Sequence, residues 1–400
     1  MITNAQIHDI VYSRQDEIIA CLSEAVQTPS EQQFVRENAS ETACSLVYAK
    51  WARRLGFSPV MVGVNERRLN MLADWRGSQD GPVFLFNGHL DTHPRPDETG
   101  TYGPFSGMVA DGNIYGVGAS NMKSGNTAAL FAMGLLKALG FDPRGTISVS
   151  FCVDELNGGR QGARWLIEHG FLKADLGICM DVSDRKLQVE AGAIYRIGVT
   201  YRSRPAPAHR PHPSTDALIK SMRALNELNR YRDAFIRPSP INPMPPNFSI
   251  TTFHAGHAAN TYADTSSFTI DCRVVPPMTI AQLEKDLRRI LDGLKAKYDE
   301  MDYEYEFISS RPHMVIPDDS SFVKVCREEY QDMFDEPLEL YRATAGADAQ
   351  LIYEAYKAQM PVFGPSLFDE ISTPDEKISI DHLLSFVELY MRILVRTTGS

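Results

Sequence analysis

The stretch TISVSFCVDELNGG, residues 146–159, decides the fold of this 400-residue chain. Apolar side chains alternate along it from Ile147 to Val153, which is the pattern of a β-strand. The two acids Asp154 and Glu155 follow, and the glycines after them predict a turn that opens a helix. Acids at the carboxyl end of a strand lie where α/β proteins bind ligands, although acids are also favoured at a solvated helix N-terminus. The neighbouring segments decide between these interpretations.

Two further strands are predicted to end in polar side chains. The apolar run PVFLFN, residues 82–87, leads to His89, and a strand over residues 175–180 leads to Asp181. A helix over residues 126–140 lies between them, so strands and helices alternate. This order predicts an α/β sheet whose carboxyl edge carries a functional site.

The length of the chain exceeds one ordinary core and favours two domains. After residue 192 the pattern changes to alternating, half-exposed strands at 194–201 and 266–275, with helices at 214–229 and 279–298. We therefore predict a discontinuous α/β domain of residues 1–192 and 309–400. An α+β domain of residues 193–308 is inserted into it, and the tail from residue 397 is expected to fray.

Composition excludes some classes of partner. The formal charge of −11 argues against nucleic acid, whose binding needs clustered Lys and Arg. The N-terminus lacks the apolar core of a signal peptide, and the most apolar stretch, residues 127–139, is too short to span a membrane. The six cysteines are scattered without a CxxC motif, which favours reduced thiols and a cytoplasmic location.

Several motifs, taken in order, resemble the M20 family of co-catalytic zinc peptidases, carboxypeptidases and amino-acid deacylases. They are FLFNGHLDTHP (84–94), YGVGASNMKSGNTA (115–128), VDELNGG (153–159), MDVS (180–183), PAHRPHP (207–213), AANTYADTSSFTIDCRVVP (258–276), AGADAQ (345–350) and FGPSLFDEISTPDEKI (363–378). The resemblance implies an aminopeptidase-like mixed-sheet catalytic domain. It also implies that the inserted domain is a ferredoxin-like lid and dimerisation domain, and hence that the protein is a homodimer.

The resemblance also assigns roles to residues of the predicted sheet edge. His89 matches a metal-ligating histidine, Asp91 the aspartate that orients it, and Asp181 an acidic metal ligand. Glu155 matches the general base if the two glycines after it set the register. A shift of one residue would make Asp154 the base and Glu155 a ligand, but it would misplace the glycines.

Three positions depart from the family pattern. Asn121 stands where the family has the aspartate that bridges two metals, Leu156 where it has a second glutamate, and Ser372 where it has a C-terminal histidine. One metal site thereby loses all its ligands. The other keeps His89 and Asp181, with Asn121 as a weak, neutral third ligand. We expect one weakly bound divalent metal, zinc or manganese, or none.

The parts that contact substrate in the family are retained. His209 matches the lid histidine that stabilises the oxyanion, and Asn260 and Arg273 match lid residues that bind a carboxylate or backbone. Gly346 matches a pocket wall. Each of these residues alone also has a purely structural interpretation. Together they predict a small-molecule substrate with carboxylate or amino-acid character.

Two functional hypotheses follow. The first is an enzyme with Glu155 as acid/base, whose default reaction is hydrolysis of a C–N (amide) bond, with elimination, proton transfer or acyl transfer as further options. The second is a catalytically inactive homologue that binds a ligand or partner through the same cleft.

Overall fold

The computed structural model describes residues 2–32, 40–96, 100–210, 216–298 and 300–399. The chain forms two compact units. Unit 1 comprises Met1–Glu190, Val315–Tyr341 and Ala347–Ser400, and unit 2 comprises Ala191–Met314 and Arg342–Gly346. The chain thus changes unit near residues 190 and 314, compared with the boundaries of 192 and 308 expected from the sequence, and it returns to unit 2 for the short segment Arg342–Gly346.

Ten α-helices occur within the described residues. In chain order they are α1 (Asn4–Ser13), α2 (Gln15–Val26), α3 (Thr42–Arg54), α4 (Ser124–Ala138), α5 (Ala163–Glu168), α6 (Ala217–Phe235), α7 (Ile280–Lys297), α8 (Ser321–Phe334), α9 (Ala349–Tyr356) and α10 (Ile380–Thr398). None of these described helices is both long enough and apolar enough to cross a membrane.

Fifteen strands form four sheets in the described parts of the chain. The strands are β1 (Val60–Gly63), β2 (Leu69–Arg76), β3 (Gln79–His89), β4 (Met108–Ala110), β5 (Asn113–Tyr115), β6 (Arg144–Cys152), β7 (Leu176–Cys179), β8 (Leu187–Ala191), β9 (Ala193–Arg202), β10 (Asn247–Ala255), β11 (Thr265–Val274), β12 (Tyr303–Arg311), β13 (Met314–Val315), β14 (Leu340–Ala343) and β15 (Lys377–Ser379). Two of the sheets are small and three-stranded, in the orders β13-β8-β14 and β15-β5-β4.

Unit 1 is built on a five-stranded mixed sheet in the order β1-β2-β6-β3-β7. The strand β3 lies between β6 and β7 and runs parallel to both, whereas β1 and β2 are antiparallel. Parallel neighbours end at the same edge, so His89 pairs with Cys152 at the carboxyl ends of β3 and β6. The predicted α/β sheet, with three strand ends at one edge, is confirmed.

Helices covering the sheet explain the continuous apolar runs of its strands. The last six residues of both β3 and β6 are buried, as expected where helices cover a sheet. α4 is buried along almost its whole length because it packs against α10 as well as β3 and β6. α10 continues to the buried Thr398, so the fraying expected from residue 397 was wrong there.

Unit 2 has the element order β-α-β-β-α-β, with its antiparallel strands arranged as β10-β11-β9-β12. This is the ferredoxin-like arrangement that the resemblance implied. Leu283, Leu287, Leu291 and Leu294 of α7 recur at helical spacing and are buried in the core of the unit. The periodicity of the sequence predicted β9 and β11 but did not indicate β10 and β12. The exposed end of β10 gives no clear alternation of buried and exposed residues.

Candidate active site

His89 ends β3 and is fully buried, with its ring held on both sides. Nδ1 lies 2.7 Å from the main-chain oxygen of Asp91, and Nε2 lies 2.9 Å from Oδ1 of Asn121. Both neighbours are acceptors, so the ring can donate a hydrogen bond from each nitrogen. These two bonds fix the orientation of the imidazole.

Two carboxylates approach the Nε2 side of this ring. Oε2 of Glu155 lies 4.0 Å from Nε2, and Oδ1 of Asp181 lies 3.9 Å from it. The ligand atoms of His89, Glu155 and Asp181 all lie within 4.8 Å of one another. We call these three residues the edge cluster. It is assembled from the ends of β3, β6 and β7.

Nearby charges determine the protonation of His89. Burial lowers the pKa of its imidazole, but Glu155, Asp181, Asp91 and Asp348 together raise the pKa to about 9. Without a bound cation the ring is therefore an imidazolium at neutral pH. A divalent cation and this proton compete for the same carboxylates.

The carboxylate of Asp91 holds the turn that carries Glu155. Asp91 is fully buried, and its Oδ1 and Oδ2 accept hydrogen bonds from the main-chain N–H groups of Glu155 and Leu156, both at 3.0 Å. The turn itself is a short 3₁₀ helix over Glu155–Asn157. Two bonds to consecutive amides fix the direction of the turn and the position from which the Glu155 side chain starts.

Asp154, the neighbouring acid, makes a different set of contacts. Its Oδ1 lies 3.2 Å from the Arg68 guanidinium, and its Oδ2 accepts a hydrogen bond from the N–H of Gln161 at 3.0 Å. Arg68 is 1% exposed and also forms two hydrogen bonds, at 3.0 and 2.7 Å, with the carboxylate of Glu41. Asp154 thus belongs to a buried ion-pair network, whereas Glu155 belongs to the edge cluster.

Replacing Arg68 with methionine should destabilise unit 1 strongly. The change leaves Glu41 and Asp154 buried without their counter-charge, and breaking a buried ion pair in this way typically lowers the free energy of unfolding by about 3–5 kcal/mol. All three tryptophans of the chain, at positions 51, 75 and 165, belong to unit 1. Urea denaturation followed by tryptophan fluorescence therefore measures the stability of this unit.

The control for that experiment is Arg76→Met, also in unit 1. It removes a salt bridge to Asp80 in which both side chains are more than half exposed. Exposed pairs contribute little to stability, so the tryptophan transition should stay where it is. If Arg68→Met unfolds at the same urea concentration as this control, the buried network does not stabilise unit 1.

The residues around His89 offer ligand atoms for a divalent cation. An imidazole nitrogen, two carboxylates and the amide oxygen of Asn121 are donors found around zinc and manganese. Leu156, beside Glu155, has no donor atom in its side chain. Ser372 is exposed, has φ +56°, and its main-chain N–H lies 3.4 Å from Oε2 of Glu376.

The predicted lid residues all lie in unit 2. The loops of His209 and Asn260 are joined, because the N–H of Ala208 donates to the main-chain oxygen of Asn260 at 2.9 Å. Both side chains are exposed. Arg273 donates to Asp271 at 2.7 Å and to the main-chain oxygen of Thr344 at 2.8 Å. All four predicted residues, Gly346 included, belong to unit 2.

Two residues that interact electrostatically with His89 were missed from the sequence. Asp348 is 1% exposed and raises the pKa of His89. Gly159 makes room for it, because a Cβ atom there would lie 2.5 Å from Oδ1 of Asp348. Burial is the main cause that lowers the pKa of His93, and the charge of His89 lowers it further. Asp348 and His93 lie inside motifs that carry the resemblance, but no spacing or periodicity distinguishes them as site residues.

Comparison with known proteins identifies related sequences. The sequence profile described as Peptidase family M20/M25/M40 matches residues 85–396. A succinyl-diaminopimelate desuccinylase from Alkalilimnicola ehrlichii is 26% identical over 377 residues, which cover 90% of this chain and 95% of the relative. A succinyl-diaminopimelate desuccinylase from Paracoccus denitrificans is 27% identical over 82% of this chain and 86% of the relative.

Solved structures share the fold. The di-peptidase Dug1p from Saccharomyces cerevisiae superposes with a TM-score of 0.81 at 14% identity, over 100% of this chain and 99% of that one. The M20 family metallo-carboxypeptidase Sso-CP2 from Sulfolobus solfataricus gives a TM-score of 0.77 at 14% identity, over 94% and 98% of the two chains. At these identities the likeness establishes the architecture.

Proposed function

Since this chain belongs to peptidase family M20/M25/M40, we propose that it hydrolyses the amide bond of an N-acylated amino acid or small peptide. In this proposal Glu155 is the general acid/base. The observation that supports it most is the position of the Glu155 carboxylate, 4% exposed and 4.0 Å from Nε2 of His89. The family establishes the hydrolase class, and the edge cluster supplies the group that moves the proton.

The proposed reaction begins with proton transfer to Glu155. Its carboxylate takes a proton from a water molecule as that water attacks the scissile carbonyl, and it then returns the proton to the departing amine nitrogen. Asp91 supports both steps because it fixes the turn on which Glu155 is carried. The reaction is balanced: the C–N bond breaks, a C–O bond forms, and water supplies both the hydroxyl and the proton.

His89, Asp181 and Asn121 would hold a single zinc or manganese ion. Such an ion, when bound, lowers the pKa of a water molecule and polarises a carbonyl. A second ion does not fit, because Leu156 and Ser372 replace two of its expected ligands. The charges balance in this proposal. Asn121 and Leu156 replace two acidic residues of the family pattern, which removes two negative charges, and the loss of one divalent cation removes two positive charges. This balance favours an altered enzyme over random decay.

The lid residues would bind the substrate. Arg273 presents a guanidinium suited to a carboxylate, although Asp271 and Thr344 already occupy part of its donor capacity. Asn260 and Gly346 would contact the substrate backbone, and His209 would stabilise the oxyanion. The proposed homodimer would form through unit 2. A carboxylate-bearing substrate is consistent with the desuccinylase relatives.

The proposal is tested by turnover of a substrate panel. Purified protein is incubated with N-succinyl and N-acetyl amino acids and with dipeptides, with added Mn²⁺ or Zn²⁺ and with chelator. We expect release of a free amine from at least one member. Binding of panel members without any turnover would instead support the inactive homologue that uses its cleft for ligand binding.

Asp91→Asn should lower kcat on that substrate by roughly 10–100-fold, the usual effect of changing a group that orients a catalytic site. The amide keeps one acceptor, so one of the two N–H bonds to the Glu155 turn is lost. KM should change less, because no substrate contact is removed. Steady-state kinetics measures the changes in kcat and KM separately. An unchanged kcat would show that Asp91 does not position Glu155.

A further inference from the structure

Glu376 is a buried acid whose carboxylate bonds to main-chain amides. It is 2% exposed and follows the STPD run near the C-terminus. Its Oε1 accepts hydrogen bonds from the N–H groups of Gly118, Ser120 and Asn121 at 2.9, 3.1 and 3.1 Å. Its Oε2 lies 3.4 Å from the N–H of Ser372. One carboxylate therefore joins two segments that are more than 250 residues apart.

The main-chain N–H groups that donate to Glu376 lie in a segment that is not a regular helix, so a helical hydrogen-bond pattern does not supply their acceptors. The segment Ala119–Lys123 is a π-helical turn in which Asn121 and Met122 have non-helical φ/ψ angles. The turn is preceded by Gly118 at φ +86°, where a Cβ atom would lie 2.6 Å from the methyl of Thr92. Buried N–H groups need an acceptor, and an ionised carboxylate is a strong one.

The same turn presents Asn121 to the edge cluster. Glu376 holds the main-chain N–H of Asn121, and the side chain of that residue reaches Nε2 of His89 at 2.9 Å. Asn121 is thus the single residue that links the buried carboxylate of Glu376 to the imidazole of His89. We propose that Glu376 is a positioning residue that fixes the Asn121 amide against His89 and thereby sets the cation affinity of the edge cluster.

The positioning step rests on hydrogen-bond geometry alone, whereas its effect on cation affinity rests on the proposed function. A merely structural role would make Glu376 equivalent to any other buried acid of unit 1. Glu388 is a matched comparison, because it is also 2% exposed. It pairs with Arg392 at 2.6 Å and with His8 at 2.9 Å, and it accepts no hydrogen bond from the turn around Asn121 in the described structure.

The first measurement is structural and needs no metal. Crystal structures of wild type, Glu376→Gln and Glu388→Gln are determined from chelator-treated protein. The amide of Glu376→Gln has one oxygen, which is a weaker acceptor than a carboxylate, and in either orientation its NH2 group faces a main-chain N–H. We therefore expect the separation of Asn121 Oδ1 and His89 Nε2 to exceed hydrogen-bond distance in this variant. Amide hydrogen exchange should also speed up at residues 118–121. Glu388→Gln should change neither. An unchanged Asn121–His89 separation in Glu376→Gln overturns the positioning role.

The second measurement is Mn²⁺ binding, followed by electron paramagnetic resonance of the free ion. We expect Glu376→Gln to bind Mn²⁺ about 10–100-fold more weakly than wild type, as is usual when the support of a metal ligand is lost. Glu388→Gln should match wild type. Equal affinities in the two variants would overturn the functional part of the proposal even if the turn had moved.

Two further outcomes have defined meanings. If wild type binds no Mn²⁺ or Zn²⁺, the single-ion site of the proposed function fails, and the crystal structures alone decide the positioning role. If Glu376→Gln does not fold, Glu376→Asp replaces it. That variant keeps the charge but shortens the side chain by one methylene, and it should show the same loss of the Asn121–His89 contact.

Discussion

Glu155→Gln should slow amide hydrolysis strongly, with kcat falling about 10²–10⁴-fold, the range that a general base contributes. The substitution keeps the size of the side chain and removes only its capacity to accept the proton of the attacking water. Its main-chain N–H still bonds to Asp91, so the turn should hold. Turnover of the panel substrate, measured as release of free amine, gives the ratio of the two rates.

The control for this variant is Glu329→Gln, which alters another buried glutamate. Glu329 is 6% exposed and bonds to Arg396 at 2.6 Å in the packing of α8 against α10. It should keep the wild-type kcat. If Glu155→Gln also retains full activity, Glu155 is not the base. Asp154→Asn would then be the next variant, since the sequence left that register open.

The triple substitution Asn121→Asp, Leu156→Glu and Ser372→His should convert the edge cluster into a centre for two metal ions. The three changes restore the donors that the resemblance places around the second ion, including a carboxylate able to bridge both. Elemental analysis after dialysis should rise from at most one zinc to about two per chain. Histidine is among the residues that tolerate a left-handed backbone, so φ +56° at position 372 does not exclude it.

Asn121→Asp alone is the partial control for this design. It adds the bridging carboxylate without the other two ligands, so a single ion should bind more tightly while the stoichiometry stays at one. Wild-type protein that already carries two zinc or manganese ions per chain, and loses activity with chelator, would show that our interpretation of Asn121, Leu156 and Ser372 is wrong.

The placement of the edge cluster followed from the sequence because it depends on a general rule. Parallel strands end at one edge, and His89, Glu155 and Asp181 each follow an apolar run at such an end. Predicting the positions of these three residues required no knowledge of contacts between residues that are distant in the sequence. The roles of Glu155 as base and of His89, Asp181 and Asn121 as ligands remain predictions, as do the homodimer and the cytoplasmic location.

The supports of the site could not be predicted in the same way. Arg68 bonds to Asp154 across 86 positions, and Glu376 bonds to Asn121 across 255. Neither residue stands at a periodic position, and a charged residue in a turn is ordinarily exposed. Only the folded structure shows that the charged groups of Arg68 and Glu376 are buried and hydrogen-bonded. The edge strand β10 was missed for a related reason, because its exposed residues carry no pattern of burial.

The division of unit 1 along the chain has a consequence for synthesis on the ribosome. Unit 2 is almost continuous in sequence, whereas α10, which covers α4 and β3, ends at Thr398. At translation rates of about 5–20 residues per second, the interval between residues 190 and 398 lasts about 10–40 s. Throughout that interval the apolar faces of the first half remain uncovered by α10. Unit 2 can fold in the meantime, so its early completion shortens the exposed chain that a chaperone would have to protect.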